Sequence, residues 1–297
     1  MKNTYLTFEQ IADNKRKTFY LILTMVLVLV GFCWFIGYLI GDVPVGLTVG
    51  LLVSSIVFLI SFATSRVSML ASTHGVEAKS SDPAELKILR MVENLAISAN
   101  LPTPKVYIIP TKVPNAFASG YSPKSAFVGV TQGLIDTMED EELLGVLAHE
   151  IAHIANYDVR ICMVGYAMVA IFALFSNIGM RLRVQRVKGK GALVIIAIIL
   201  CAILARFIAN LLNLAISRKR EYIADAHAVR LCSNNMGLAK ALKKLAYGGE
   251  YNEQDIADLG GPHMLGMYIN RKKAGLSPLF STHPPIEERI RILENMG

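Results

Sequence analysis

Residues 139–154 read EDEELLGVLAHEIAHI, an acidic opening and an apolar run that ends on His149-Glu150-Ile151-Ala152-His153. Acidic side chains suit a helix N-terminus, where the unpaired N–H groups and the helix dipole present positive charge. A helix therefore starts within Glu139 to Glu142. Leu143, Leu144, Leu147, Ile151 and Ile154 recur at helical spacing and give it one apolar stripe. On such a helix His149 and His153, four positions apart, share a face, so both imidazoles can reach one metal ion. Glu150 is one residue on, placed to take a proton from a water on that metal. Imidazole and carboxylate donors with one position left for water suit zinc, which lowers the pKa of that water. The plain alternative is two histidines on a helix face with no metal. The acidic helix start, a strand just upstream and an apolar block just downstream weigh against it.

A zinc site of this type needs a third protein ligand. The best candidate is Glu221, in Arg220-Glu221-Tyr222-Ile223-Ala224-Asp225. Glu221 and Asp225 are again four apart and share a helix face. Glu221 can bind the metal while Asp225 accepts a hydrogen bond from a ligand histidine and orients its ring. Taken alone, the same spacing also describes a solvated acidic face.

The rest of the chain explains how the two motifs meet. Of its 297 residues, 53% are hydrophobic and only 18% charged, against about 25% charged in an ordinary soluble domain. Mean hydropathy is +0.45. The apolar excess lies in blocks, as in membrane proteins. The first block, 19–40, is long enough to cross about 30 Å of hydrocarbon. It is longer than a signal-peptide core, and no small-residue cleavage site follows. A tight turn at Gly41-Asp42-Val43-Pro44 and a second block to about Ala63 complete a helical hairpin. Two more blocks, 161–180 and 193–216, separate His153 from Glu221. If both cross, they form an antiparallel hairpin and return the chain to the same membrane face. One span or three would separate the motifs. Arg206, Asn210 and Asn213 lie in the last block. They face a protein interior or water-filled cavity, or the span is shorter and Arg206 snorkels to the interface.

Four units follow: an N-terminal transmembrane hairpin (1–65), a first catalytic part carrying the HExxH helix (66–160), a second hydrophobic hairpin (161–217) and a second catalytic part (218–297). In the first catalytic part, Asp82-Pro83 is a helix start, Asp as cap and Pro at the first helical position; that helix runs to about Ser98. Residues 105–109 and 126–131 read as strands, with Asn115-Ala116-Phe117-Ala118 between them as an edge segment. Helical patterns recur near 218–233, 236–247 and 284–296. The fold class is thus mostly α with a small β-sheet: a membrane-anchored, gluzincin-like zincin domain with about four transmembrane helices.

The formal charge is +7, but the basic residues flank apolar blocks rather than forming a nucleic-acid face, so no nucleic-acid partner is expected. The partners implied are a lipid bilayer and protein substrates. Four cysteines with no CxxC pair give neither a disulfide framework nor a thiolate zinc site.

The ordered combination of HExxH, a hydrophobic hairpin, Ser217-Arg218-Lys219-Arg220-Glu221-Tyr222-Ile223-Ala224-Asp225 and Ser281-Thr282-His283-Pro284-Pro285 resembles the HtpX-type membrane zinc proteases. These are related to the CAAX prenyl protease and to the mitochondrial protease OMA. The resemblance covers essentially the whole chain. It implies a zinc endopeptidase with one Zn2+ per chain. It also implies a bacterial inner membrane location, an active site facing the cytoplasm, and quality control of damaged or misassembled membrane proteins. It gives Asn115, Ala116, Phe117 and Ala118 as the substrate-binding edge, and His283 and Arg289 as contributors beside the metal that stabilise the oxyanion. His283 also suits a helix start, since Pro284 and Pro285 follow it. His74, His227 and His263 match no motif. One feature departs from the family's topology: Arg181, Arg183, Arg186, Lys188 and Lys190 crowd the loop between the last two blocks. Placed outside, they oppose the positive-inside preference, so that hairpin either crosses fully or forms part of a membrane-proximal cavity. The rival readings are a prenyl-peptide processing protease, against which the short chain argues, and a non-catalytic scaffold, against which Glu150 argues.

Overall fold

Alternation along three short strands builds a sheet that is covered on both faces. In the computed structural model, which describes residues 26–35, 37–38, 41–160, 218–247 and 284–296 with isolated positions elsewhere, β1 (Val76–Glu77), β2 (Lys105–Ile109), β3 (Ala116–Ser119) and β4 (Phe127–Thr131) lie in the order β1-β2-β4-β3. β2 and β4 are parallel, while β1 and β3 run antiparallel to their neighbours. Val106, Ile108, Ala116, Ala118, Val128 and Val130 point to the main core. Tyr107, Ile109, Phe117 and Phe127 point the other way and pack with Leu70 and Val113, as a period of two requires. Phe117 lies opposite Gly129, and a Cβ there would stand 2.5 Å from its ring, so glycine makes room for the aromatic side chain. The segment 115–118 thus contributes a strand at the sheet's edge. At the opposite edge β1, which pairs with β2, is too short for any sequence period to announce.

The helices around the sheet start where their caps say. Helix α3 (Pro83–Ser98) is capped by Asp82, whose Oδ1 accepts from the N–H groups of Ala84 and Glu85 at 2.8 and 3.1 Å. α4 (Gln132–Thr137) leads into α5 (Asp140–Ala155), the HExxH helix. At its start the Glu139 N–H donates to Glu142 Oε2 at 2.8 Å, half of a reciprocal cap. The apolar stripe of α5 faces the core, and burial extends well beyond it. Twelve of its residues are buried, including Gly145, Ala148, His149, Glu150 and Ala152, because the helix is central. It packs on β3, on α3 and on two later helices, α6 (Arg218–Cys232) and α7 (Asn235–Tyr247). Small residues allow this. A Cβ on Gly145 would lie 2.5 Å from the Leu238 backbone, and one on Gly237 2.4 Å from the Glu141 carbonyl. The last described helix, α8 (Ile286–Glu294), packs on α7 and α6.

These elements belong to one compact unit, residues 1–11, 66–160 and 216–297; the other comprises residues 12–65 and 161–215. In that second unit α1 (Val26–Phe35) and the first part of α2 (Val43–Thr73) are separated by a turn at Gly41, whose φ is +90°. Gly46 and Gly50 let the two helices touch: added Cβ atoms would meet Gly37 Cα at 2.2 Å and Cys33 Sγ at 2.4 Å. Small residues four apart are how helices approach closely in lipid. Residues Val43–Ile60 have a mean hydropathy of 2.4 and only 12% of them are buried. Val45, Val49, Leu52, Ile56 and Leu59 are exposed. Among the described residues this is the one helix long and apolar enough to cross a membrane. The blocks 161–180 and 193–216, the basic loop between them and His283 lie outside the described residues, and α1 is described over ten residues.

Candidate metal centre

Three helices remote in sequence bring the candidate residues together. On α6, Glu221, Ala224, Asp225 and Ala228 are spaced i, i+3, i+4, i+7 and are all buried. They form the face that packs against α5. The two alanines let the backbones come close, so the short carboxylate arms reach the imidazoles. His149 Nε2 and His153 Nε2 are 3.1 Å apart. Two ring nitrogens at that distance cannot both carry a proton toward each other. Glu221 Oε2 lies 3.6 Å from His149 Nε2, and Oε1 3.6 Å from His153 Nε2. One ligand atom from each residue falls within 4.8 Å of the others. Donors about 2.0–2.1 Å from a tetrahedral zinc stand roughly 3.4 Å from one another. The donor types and their spacing therefore fit a zinc ion.

The other nitrogen of each ring meets a carboxylate. His149 Nδ1 is 2.9 Å from Asp225 Oδ1. His153 Nδ1 donates to Asp158 Oδ2 at 3.0 Å. Asp225 is in turn gripped by Arg289 of α8: Nε donates to Oδ2 at 2.8 Å and Nη2 to Oδ1 at 2.7 Å. Arg289 Nη1 also lies 3.5 Å from Glu221 Oε2. Arg289 is thus fully buried, with its guanidinium turned to two carboxylates. It stands beside the candidate metal ligands and is engaged by their acidic partners. Glu150, on the same helix turn as His149, is buried, and its charge adds to those that favour the Arg289 cation.

The charges agree with this geometry. Burial alone would raise the Asp225 carboxyl, but Arg289 and His149 outweigh it and hold it down at about 2. Burial would lower His149, yet Asp225 and Glu221 lift it to about 9 in the metal-free protein. His153 is raised too; against the lowering effect of burial stands its bond to Asp158. His227, outside this cluster, is pushed down to about 4 by burial and then by Arg230.

Asp158 is the residue that reading the sequence missed. It lies two residues past the helix cap Asn156, and Tyr157 between them adopts φ +60°. That left-handed step turns the chain back on itself. The available signal was a carboxylate just beyond the end of a helix whose last turn carries a candidate ligand. On the other side, Asn115 is buried and exchanges bonds with Thr131, its N–H to Oγ1 at 2.8 Å and its carbonyl from Oγ1 at 3.0 Å. This pins the start of β3, whose outer edge has no neighbouring strand among the described residues.

Comparison with known proteins adds the family. The profile of peptidase family M48 matches residues 83–297. A protein described as protease HtpX homolog from Listeria monocytogenes serotype 4b is 37% identical, over 98% of this chain and 100% of the relative. One so described from Dictyoglomus thermophilum is 39% identical, over 98% and 95%. Among solved structures, the crystal structure of S. mikatae Ste24p superposes with a TM-score of 0.52 at 17% identity, over 99% of this chain and 67% of that one; at that identity the likeness concerns the fold. A profile across most of the chain and full-length relatives of this similarity have one meaning: the chain belongs to peptidase family M48, and it is a metalloprotease.

Proposed function

We propose that the chain is a zinc-dependent endopeptidase of the bacterial inner membrane. Its substrates are damaged or misassembled membrane proteins, and its catalytic unit faces the cytoplasm. The observation that carries the reading is the convergence of His149 Nε2, His153 Nε2 and the Glu221 carboxylate on one point. These three residues hold the ion, one per chain. When bound, zinc supplies a Lewis acid that activates water and polarises the scissile carbonyl. The Glu150 carboxylate takes the water's proton and delivers it to the leaving amine. Asp225 orients His149 and is itself held in place by Arg289. Arg289 and His283 contribute positive charge and a donor near the developing oxyanion. The segment Asn115 to Ala118 accepts an extended substrate as an added strand, main chain to main chain.

The membrane part of the reading rests on the exposed apolar helix Val43–Ile60 and on the apolar blocks of the sequence. The four-part division at 65, 160 and 217 follows from it. Casein hydrolysis by the purified full chain tests the chemistry. Glu150→Gln should keep zinc and lose nearly all cleavage, because an amide cannot accept the proton. Cleavage at the parental rate by Glu150→Gln would remove Glu150 from the mechanism.

A further inference from the structure

We propose that Asp158, clamped by Arg220, is a positioning residue that fixes His153 for metal binding and ties it to the helix that carries Glu221. The inference rests on the metal centre proposed above. Its starting point is the turn after α5. With Tyr157 at φ +60°, the chain reverses and Asp158 returns beside His153, five residues earlier in the chain. The two oxygens of Asp158 then face different partners. Oδ2 accepts from His153 Nδ1 at 3.0 Å, and Oδ1 lies 3.6 Å from Arg220 Nη1. Both partners of the carboxylate are largely buried, with 14% of the His153 and 8% of the Arg220 side chain exposed.

A proton held at Nδ1 leaves the lone pair at Nε2, the nitrogen that faces His149 and Glu221. Asp158 therefore sets both the tautomer and the angle of the ring. Arg220 immediately precedes Glu221 on α6, so its ion pair with Asp158 joins the first turn of α6 to the end of α5 on the metal side. The two ligands His153 and Glu221 are thereby registered against each other by a contact that includes neither. The alternative is a pair that merely closes the end of α5. It predicts a loss of fold stability without a selective effect on metal.

The test is zinc affinity, measured on the detergent-solubilised full chain by competition with a chromophoric chelator, together with thermal unfolding of the metal-free protein. Asp158→Asn keeps the shape and one acceptor but loses the charge; Asp158→Ala loses both. Removing such a partner of a ligand histidine typically costs 10–100-fold in metal affinity. Asp158→Asn should fall near about tenfold and Asp158→Ala near about 100-fold, with the metal-free protein destabilised by clearly less than that loss of affinity in Asp158→Asn. Arg220→Gln should weaken binding less, and adding it to Asp158→Asn should cost less than the two separate losses combined, since both act through one contact. Parental zinc affinity in Asp158→Asn overturns the proposal. So does a weakening matched by an equal drop in metal-free stability, or strict additivity with Arg220→Gln. His153→Ala separates the two levels. If it binds zinc like the parent, the metal centre itself is misplaced; if it loses zinc while Asp158→Asn does not, only the positioning role falls.

Discussion

His149 and His153 sit one turn apart on the same helix, yet their surroundings are built in different ways. His149 is closed in by three helices. Its carboxylate partner Asp225 comes from α6 and is 1% exposed, and the cation that grips Asp225 comes from α8, 64 residues further along the chain. His153 is 14% exposed and is braced by the turn that follows its own helix. The carboxylate behind His149 thus comes from a remote helix, and the one behind His153 from five residues further along the chain. The long-range half is an ion network buried in the core. In the local half His153 is slightly more exposed, with Asp158 still buried behind it.

The largest expected difference between the halves is in stability. Arg289→Leu leaves Asp225 and Glu221 buried without their cation. Removing one partner of a buried pair costs about 3–5 kcal/mol. For a unit of this size that lowers the unfolding midpoint by on the order of 10 °C. Arg220→Gln, which loses one 3.6 Å contact where Arg289 makes two hydrogen bonds and a further ion pair, should lower it less. Thermal unfolding of the two metal-free variants side by side checks this, and equal losses would erase the distinction between the halves.

Next in size is metal affinity. Asp225→Ala should weaken zinc binding by about 10–100-fold, and it also leaves Arg289 with Glu221 as its nearest carboxylate at 3.5 Å. Chelator competition reads this directly; unchanged affinity would show that His149 needs no brace.

The smallest effect is a slope against pH. Asp225 is held at about 2, below its ordinary 3.8. A depressed carboxyl contributes stability that is complete above the unfolded value and is lost as pH falls through the folded one. That contribution is therefore complete well above 3.8 and is lost progressively as pH falls from there through about 2. His149 has the opposite sign. In the metal-free protein it is raised from 6.5 to about 9, so its contribution is present below 6.5 and is lost as pH rises through 9. Zinc must displace that proton, so apparent affinity should rise with pH up to about 9 and level off above it. Reading the sequence against a free histidine would place the whole change near 6.5. Zinc titrations at pH 7, 8 and 9 distinguish the two; a flat affinity above pH 7 would mean that His149 is already neutral there.

Much of this was legible in the residues because it rests on local rules. Asp82-Pro83 announced α3, the acidic run announced α5, and the i, i+4 spacings put both histidines on one face and both α6 carboxylates on another. The stretches 105–109 and 126–131 announced two strands, found at Lys105–Ile109 and Phe127–Thr131. What was not legible depends on partners. β1 has two residues, and only its pairing with Tyr107 and Ile108 makes it a strand. The burial of α5 on nearly all sides follows from elements packed against it later in the chain, not from its own stripe. Asp158 was hidden by a backbone choice that an aromatic residue rarely makes, the left-handed step at Tyr157. Arg289 could be placed near the centre from its motif. That its guanidinium is turned to Asp225 and Glu221 needed coordinates.

The account stands or falls on the convergence of His149, His153 and Glu221. Elemental analysis of the purified full chain, parent and Glu221→Ala prepared together without chelator, measures it most directly. The parent should carry one zinc per chain, and Glu221→Ala should carry almost none while keeping the helical content of the parent by circular dichroism. A Glu221→Ala protein with parental zinc content would contradict the account.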